Sequence, residues 1–209
     1  MNDVPLEGHC DERFAKLRRV FEASFGQGEV GASVSVVVDG EPVVDLWGGF
    51  ADEARTEAWE RDTIANVYST TKGMTAICAH RLVDEGRLDL DLPVAKYWPE
   101  FAQQGKDEIP VRMLLSHQAG LCAVEPPLAP EDQFDWDRIT GSLAAQKPFW
   151  EPGTRHGYHA MTYGHLVGEV VRRIDGRSLG TYFRDEIALP LEADFHIGLG
   201  EEHDARCAD

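Results

Sequence analysis

The chain has 209 residues, of which 43% are hydrophobic and 27% charged, a balance typical of a folded globular protein. Its formal net charge of −17 argues against nucleic acid or an anionic membrane as the main partner. No apolar run approaches the ~20 residues of a membrane-spanning helix. The N-terminal stretch MNDVPLEGHCDERFAK lacks the apolar core of a signal peptide, so we expect a cytoplasmic protein.

Neither a metal site nor a cofactor is predicted. The cysteines (Cys10, Cys78, Cys122 and Cys207) are widely spaced and form no Cys-x-x-Cys pair, which favours reduced thiols. The histidines show no metal-binding spacing beyond an isolated cluster at His156, His159 and His165. We interpret them as loop or capping residues.

The N-terminal third predicts one helix followed by a hairpin. Apolar residues recur at helical spacing between Cys10 and Phe25. Two runs rich in β-branched residues, Ala32–Val38 and Pro42–Gly49, then flank the turn dipeptide Asp39-Gly40. The pattern predicts an amphipathic helix and a two-stranded antiparallel sheet.

The remaining periodic segments predict helices. The longest are Thr70–Glu85, ending before Gly86, and Thr162–Ile174; shorter ones are expected at Val111–Ser116 and Trp136–Gln146. The first of these should be central and should bury a face formed by Met74, Ile77, Cys78, His80, Leu82 and Val83. Leu88–Val94 fits a strand or a packed turn equally well.

One tetrapeptide contains candidate catalytic residues. Ser69-Thr70-Thr71-Lys72 is a Ser-x-x-Lys pattern, and at the start of a helix positions i and i+3 face the same way. A serine hydroxyl is a weak nucleophile until a neighbouring base takes its proton, and Lys72 lies within reach of Ser69. The alternative is a helix-capping serine followed by a solvated lysine, because this pattern often occurs by chance.

Tyr158 is the second candidate. It follows Pro152-Gly153 and precedes the Thr162 helix. A phenol can transfer protons when a neighbouring lysine lowers its pKa, so we expect Tyr158 to lie within a few ångströms of Ser69 and Lys72. Taken by itself, Tyr158 also fits a half-buried packing aromatic. A Gly-x-Ser-x-Gly elbow is absent from the sequence, so the usual α/β-hydrolase route is unsupported.

The chain resembles the superfamily of serine β-lactamases and penicillin-binding proteins, and within it the class-C-like family VIII carboxylesterases. The resemblance spans nearly the whole chain and is carried by these blocks: LWGG, VYSTTKG, LVDEGRLDLDLPVAKYWPEF, VRMLLSHQAGL, WEPGTRHGYHAMTYGHLVGEVVRR and DFHIGL. It implies an α/β (α+β) fold of the β-lactamase/transpeptidase type, with an antiparallel sheet flanked by helices plus a mainly helical region.

The resemblance also implies a function. By this resemblance we expect Ser69 to be the acylated nucleophile, Lys72 the general base and Tyr158 the tyrosine of the second motif, without a cofactor or metal. Where β-lactamases have Tyr-x-Asn, this chain has Ala160 in the third position, which favours cleavage of short-acyl esters. β-Lactamase or D-amino-acid peptidase activity remains an alternative, so the expected partner is a small ester or amide.

A third motif of the superfamily, on a strand near the C-terminus, has no clear match; His196-Ile197-Gly198 fits only by its letters. We therefore expect one domain over 1–209, with 1–87 carrying the hairpin and nucleophile helix, 88–180 a helical region, and 181–209 a connection towards further strands. The sheet should be incomplete, and Val34, Val36 and Val38 should lack a covering layer. We expect the 209-residue chain alone to be weakly active and to self-associate, and a truncated, non-catalytic fragment is the alternative.

Overall fold

The computed structural model describes residues 4–209, with all of their side chains except that of Gln133. They divide into two units. The first contains the described residues up to Asn66 together with Leu199–Asp209, and the second contains Val67–Gly198. The first unit holds β1 (Leu6–Cys10), α1 (Ala15–Ser24), β2 (Gly31–Val38) and β3 (Glu41–Gly49). The second holds α2 (Thr71–Asp84), α3 (Val111–Leu115), α4 (Trp136–Ala145), α5 (Thr162–Asp175) and α6 (Leu179–Phe183).

The sheet of the first unit has three antiparallel strands in the order β1-β3-β2. The predicted hairpin is confirmed: β2 and β3 pair from Gly31 opposite Gly49 to Val38 opposite Glu41. Asp39 and Gly40 turn the chain with φ values of +53° and +84°. Such paired positive φ values match the right-handed twist of hairpin strands, and Asp-Gly tolerates them.

The predicted helix from Cys10 to Phe25 is wrong at its N-terminal end. Cys10 lies in β1, opposite Val44 of β3. Asp11 then accepts a hydrogen bond from the backbone N–H of Arg13 and starts a short turn, so α1 begins only at Ala15. A side-chain cap at this position satisfies a free N–H group and fixes where the helical segment begins.

A small core joins the sheet to α1. Val43, Val44 and Leu46 of β3 are buried, and partly buried residues pack against them: Cys10, Phe14, Leu17, Phe21, Val34 and Val36. The expectation that the β2 valines lack a covering layer is therefore wrong for Val34 and Val36. Val38, at the turn end of β2, is exposed.

The predicted limits of α2 are confirmed to within one residue, but its predicted face is partly wrong. The buried residues are Thr75, Cys78, Ala79 and Leu82, whereas Ile77 and His80 are exposed. Their spacing of three, one and three residues forms one helical stripe, which packs against α5 and α6. Thr75 and Ala79 are small, and their burial is not a feature that hydrophobicity alone would select.

The core of the second unit is formed mainly by α2, α5 and the loop between α2 and α3. The predicted range of α5 is confirmed to within one residue, and the helix buries Leu166, Val167, Val170 and Val171. Leu88–Val94 is a packed turn, with only an isolated bridge between Pro93 and Pro110. Helix α6 was not predicted; the Ser178 side chain caps it by accepting the Thr181 N–H.

Candidate functional site

Ser69 lies in a 3₁₀ turn, Tyr68–Thr70, that leads directly into α2. Tyr68 has φ +44°, an uncommon conformation for a residue other than glycine. The serine side chain is exposed at this bend. Lys72 follows in the first turn of α2, and its Nζ lies 3.1 Å from Ser69 Oγ.

Tyr158 reaches the same serine from a loop before α5. Its hydroxyl donates a hydrogen bond to Ser69 Oγ over 2.6 Å, and Lys72 Nζ lies 4.8 Å from the centroid of its ring. The hydrogen bond with Ser69, and next that with Lys72, lower the pKa of Tyr158. The structure thus brings the three sequence-predicted side chains together around one oxygen atom.

The residue after Tyr158, His159, has a fully buried side chain that holds the backbone on both sides of the tyrosine. Its Nε2 accepts the backbone N–H of Leu121 over 3.0 Å, so the ring proton resides on Nδ1 and is donated to the carbonyl of Gly157, 2.6 Å away. Burial lowers the pKa of His159 and favours this neutral form. The Trp150 ring packs directly on Gly157, where a Cβ would lie 2.4 Å from the indole.

The other members of the histidine cluster have different partners. His165 Nδ1 lies 3.1 Å from the Met161 carbonyl, and its ring packs on Trp136. His156 is exposed. Within residues 4–209, no group of three His, Cys, Asp or Glu side chains is arranged to hold a metal ion.

Sequence reasoning missed His117 as a neighbour of the site. Its ring centroid lies 4.9 Å from that of Tyr158 and 5.5 Å from that of His159. Because 42 residues separate His117 from the backbone N–H that its ring binds, no local pattern could show this contact. The segment His196-Ile197-Gly198 is placed against α6, where the Ile197 carbonyl lies close to Gly180.

The beta-lactamase family profile matches residues 17–209. The chain belongs to the beta-lactamase family. A relative from Mycobacterium tuberculosis, named Esterase/beta-lactamase LipL, is 40% identical over 193 residues, covering 91% of this chain and 44% of that protein.

Two solved structures are similar to this member of the beta-lactamase family. The crystal structure of a family VIII carboxylesterase is 49% identical, with a TM-score of 0.93, and the match covers 98% of this chain and 57% of that one. A penicillin-binding protein homolog from Caulobacter crescentus is 48% identical, with a TM-score of 0.94, over 98% of this chain and 56% of its own. The predicted fold class is thereby confirmed. The chain spans about half the length of these relatives.

Among residues 4–209, none of the helices is both long and apolar enough to cross a membrane.

Proposed function

We propose that this beta-lactamase family protein is a serine hydrolase that cleaves short-acyl carboxylic esters through an acyl-enzyme on Ser69. The observation that carries the proposal is the position of Ser69 Oγ, 3.1 Å from Lys72 Nζ and 2.6 Å from the Tyr158 hydroxyl. A nucleophile with a base and a proton donor each within hydrogen-bonding distance of it supplies the parts that acyl transfer requires.

Acylation begins with proton transfer. Lys72, in its neutral form, accepts the Ser69 hydroxyl proton while Oγ bonds to the ester carbonyl carbon. The Tyr158 hydroxyl donates its proton to the departing alcohol oxygen as the ester C–O bond breaks, and the Lys72 ammonium returns a proton to Tyr158. The lowered pKa of Tyr158 suits this role, because a more acidic phenol donates more readily to an alkoxide.

Deacylation reverses the direction of proton flow. Water attacks the acyl carbon while the Tyr158–Lys72 pair takes one of its protons, and the pair then donates a proton to Ser69 Oγ as the acyl C–Oγ bond breaks. The products are a carboxylic acid and free enzyme. The backbone N–H of Ser69, at the start of a helical segment, is suited to donate to the oxyanion in both steps.

Ala160 supports esters over β-lactams as substrates. It is exposed two residues after Tyr158 and carries no amide that could contact the acylamino group of a lactam. One similar solved structure is a family VIII carboxylesterase, whereas the name of the Mycobacterium tuberculosis relative combines esterase with beta-lactamase. We expect turnover of p-nitrophenyl butyrate to exceed that of the lactam nitrocefin.

The test compares the parent chain with Ser69→Ala and with Thr70→Ala, a matched loss of a neighbouring exposed hydroxyl. Hydrolysis of p-nitrophenyl butyrate should fall to background in Ser69→Ala and persist in Thr70→Ala. A Ser69→Ala protein that is folded by circular dichroism and keeps the parent rate would rule out the proposal.

A further inference from the structure

His117 lies just after α3, in a backbone conformation with φ +60°, and its side chain is half-buried. It is separated in sequence from Ser69, Lys72 and Tyr158, and neither its type nor its spacing belongs to the Ser-x-x-Lys pattern. Its contacts nevertheless converge on the short segment that carries Tyr158.

Two hydrogen bonds join His117 to the residues on either side of Tyr158. The His117 carbonyl accepts the backbone N–H of Gly157 over 3.1 Å. The His117 ring Nδ1 accepts the backbone N–H of His159 over 3.0 Å. One residue thus holds the backbone immediately before and immediately after the tyrosine.

The His117 ring also contacts the Tyr158 ring, at a centroid distance of 4.9 Å and an interplanar angle of 50°. It therefore limits the rotation of the phenol about its side-chain torsions as well as the position of its backbone. The 2.6 Å hydrogen bond from the Tyr158 hydroxyl to Ser69 Oγ requires both to be fixed.

This arrangement needs an unprotonated Nδ1, because that atom accepts a hydrogen bond. Burial lowers the pKa of His117, and the nearby His159, His156 and Lys72 lower it further in that order. The ring of Tyr163 packs on the same imidazole, with centroids 5.0 Å apart. The surroundings thus favour the neutral form that can accept.

We propose that His117 is the positioning residue for Tyr158, acting through its Nδ1 acceptor and its ring to hold the phenol against Ser69. The inference rests on the proposed function for its kinetic consequence. Its structural consequence, the environment of the Tyr158 hydroxyl, can be measured without any substrate.

Three substitutions separate the parts of the interaction. His117→Asn keeps an acceptor near the Nδ1 position and tolerates a positive φ, since asparagine is enriched in that region. His117→Phe keeps the ring and removes the acceptor. His117→Gln keeps polarity but moves the acceptor along the side chain, and serves if the phenylalanine variant does not fold. His80→Asn, at an exposed histidine of α2, is the matched control.

The first readout is the ultraviolet titration of tyrosine ionisation. The chain has five tyrosines, and Tyr158→Phe identifies which part of the curve belongs to Tyr158. In the parent and in His80→Asn, the Tyr158 transition should lie at a lowered pH; in His117→Asn, which keeps an acceptor but loses the ring, it should rise only slightly. In His117→Phe and His117→Gln it should move back towards the ordinary range of tyrosine.

The second readout is steady-state hydrolysis of p-nitrophenyl butyrate. Misplacing a proton-transfer group by about 1 Å can cost roughly 10²-fold, so kcat should fall by about that factor in His117→Phe, with KM changed less than ~3-fold. His117→Asn should recover most of the loss. A folded His117→Phe or His117→Gln with the parent Tyr158 titration would overturn the inference. Absence of esterase activity in the parent would defeat the proposed function instead, and the titration would still decide the role of His117.

Discussion

The two units of the protein differ in the size of their buried hydrophobic cores. The first depends on a three-stranded sheet whose buried centre consists of Val43, Val44 and Leu46 under one helix. The second buries a continuous core that includes α2, α5 and α6. Ser69, Lys72 and Tyr158 all belong to the second unit. The site geometry is therefore maintained by packing within a single unit, and variants that disturb each unit separately test this comparison.

The largest effect is expected from the loss of one hydroxyl in the second unit. Tyr158→Phe removes the donor to Ser69 Oγ and should lower kcat by roughly 10²–10⁴-fold, the usual contribution of general acid–base catalysis. The protein should remain as stable as its parent, because the ring is half exposed. Tyr97→Phe is the control: its hydroxyl binds the backbone N–H of Asp89, so steady-state kinetics should be unchanged. Equal losses in both variants would contradict a proton-transfer role.

A matched pair of core substitutions compares the units directly. Leu166 in α5 and Leu46 in β3 are both fully buried. Leu-to-alanine changes cost about 2–5 kcal/mol, more where the surroundings cannot collapse into the cavity. We expect Leu166→Ala to cost about 4 kcal/mol and Leu46→Ala about 2–3 kcal/mol. Hydrogen–deuterium exchange should show the faster exchange confined to the unit that carries the change; uniform acceleration over both units would refute the comparison.

A buried lysine, Lys106, joins its own loop to the C-terminal end of α4 by hydrogen bonds. Lys106 is fully buried, and its Nζ donates to the carbonyls of Gln103, Ala144 and Gln146, the last two at the C-terminal end of α4. Burial lowers its pKa to about 8. Lys106→Met leaves these carbonyls without their donor, at a cost of about 2–3 kcal/mol. Urea unfolding measures this, and an unchanged midpoint would show that the lysine contributes no net stability.

The smallest expected effect is a pH dependence of the second unit. The folded pKa of the buried His159 lies below its ordinary value of 6.5, so the unfolded chain binds its proton first as the pH falls. Stability is full above pH 6.5 and decreases as the pH falls towards the folded pKa, by up to ~1.4 kcal/mol per pH unit for this one group.

His159→Gln isolates this contribution, because its amide oxygen can accept the Leu121 N–H without titrating. Unfolding by urea between pH 6.5 and 5 should show a shallower slope for the variant than for the parent. Parallel slopes would assign the acid sensitivity to other groups. The hydroxyl control, Thr70→Ala, should follow the parent throughout.

How far the sequence predicts this structure depends on how local each signal is. The β2–β3 hairpin and α5 follow from short patterns, an Asp-Gly turn between β-branched runs and a strong apolar stripe. Strand β1 has no such pattern, because Glu7, Gly8 and His9 are exposed and its pairing with β3 supplies the stabilisation. Thr75 and Ala79 are buried because α2 packs on other helices, and hydrophobicity does not reveal that contact.

The residues of the candidate site likewise differ in whether a local sequence pattern predicts them. Ser69 and Lys72 are three residues apart, so their contact can be predicted from helical spacing alone. Tyr158 is 89 residues from Ser69, so no local spacing links the two; phenol chemistry suggests it as a candidate, and the family resemblance implies its role. His117 could not be found, because its hydrogen bonds to the Gly157–His159 segment depend on how two distant loops pack. Catalytic pairs on one element are readable in sequence, whereas the residues that position them are visible only in three dimensions.

The central claim is a covalent acyl group on Ser69, and the most direct test is to trap it. The chain is mixed with p-nitrophenyl butyrate, quenched in acid within the first turnovers, digested and analysed by mass spectrometry. We expect a butyryl group on the peptide containing Ser69, more of it in a variant slowed in deacylation, and none in Ser69→Ala. Hydrolysis of the ester without an adduct on Ser69, or with the adduct on another residue, would contradict the account.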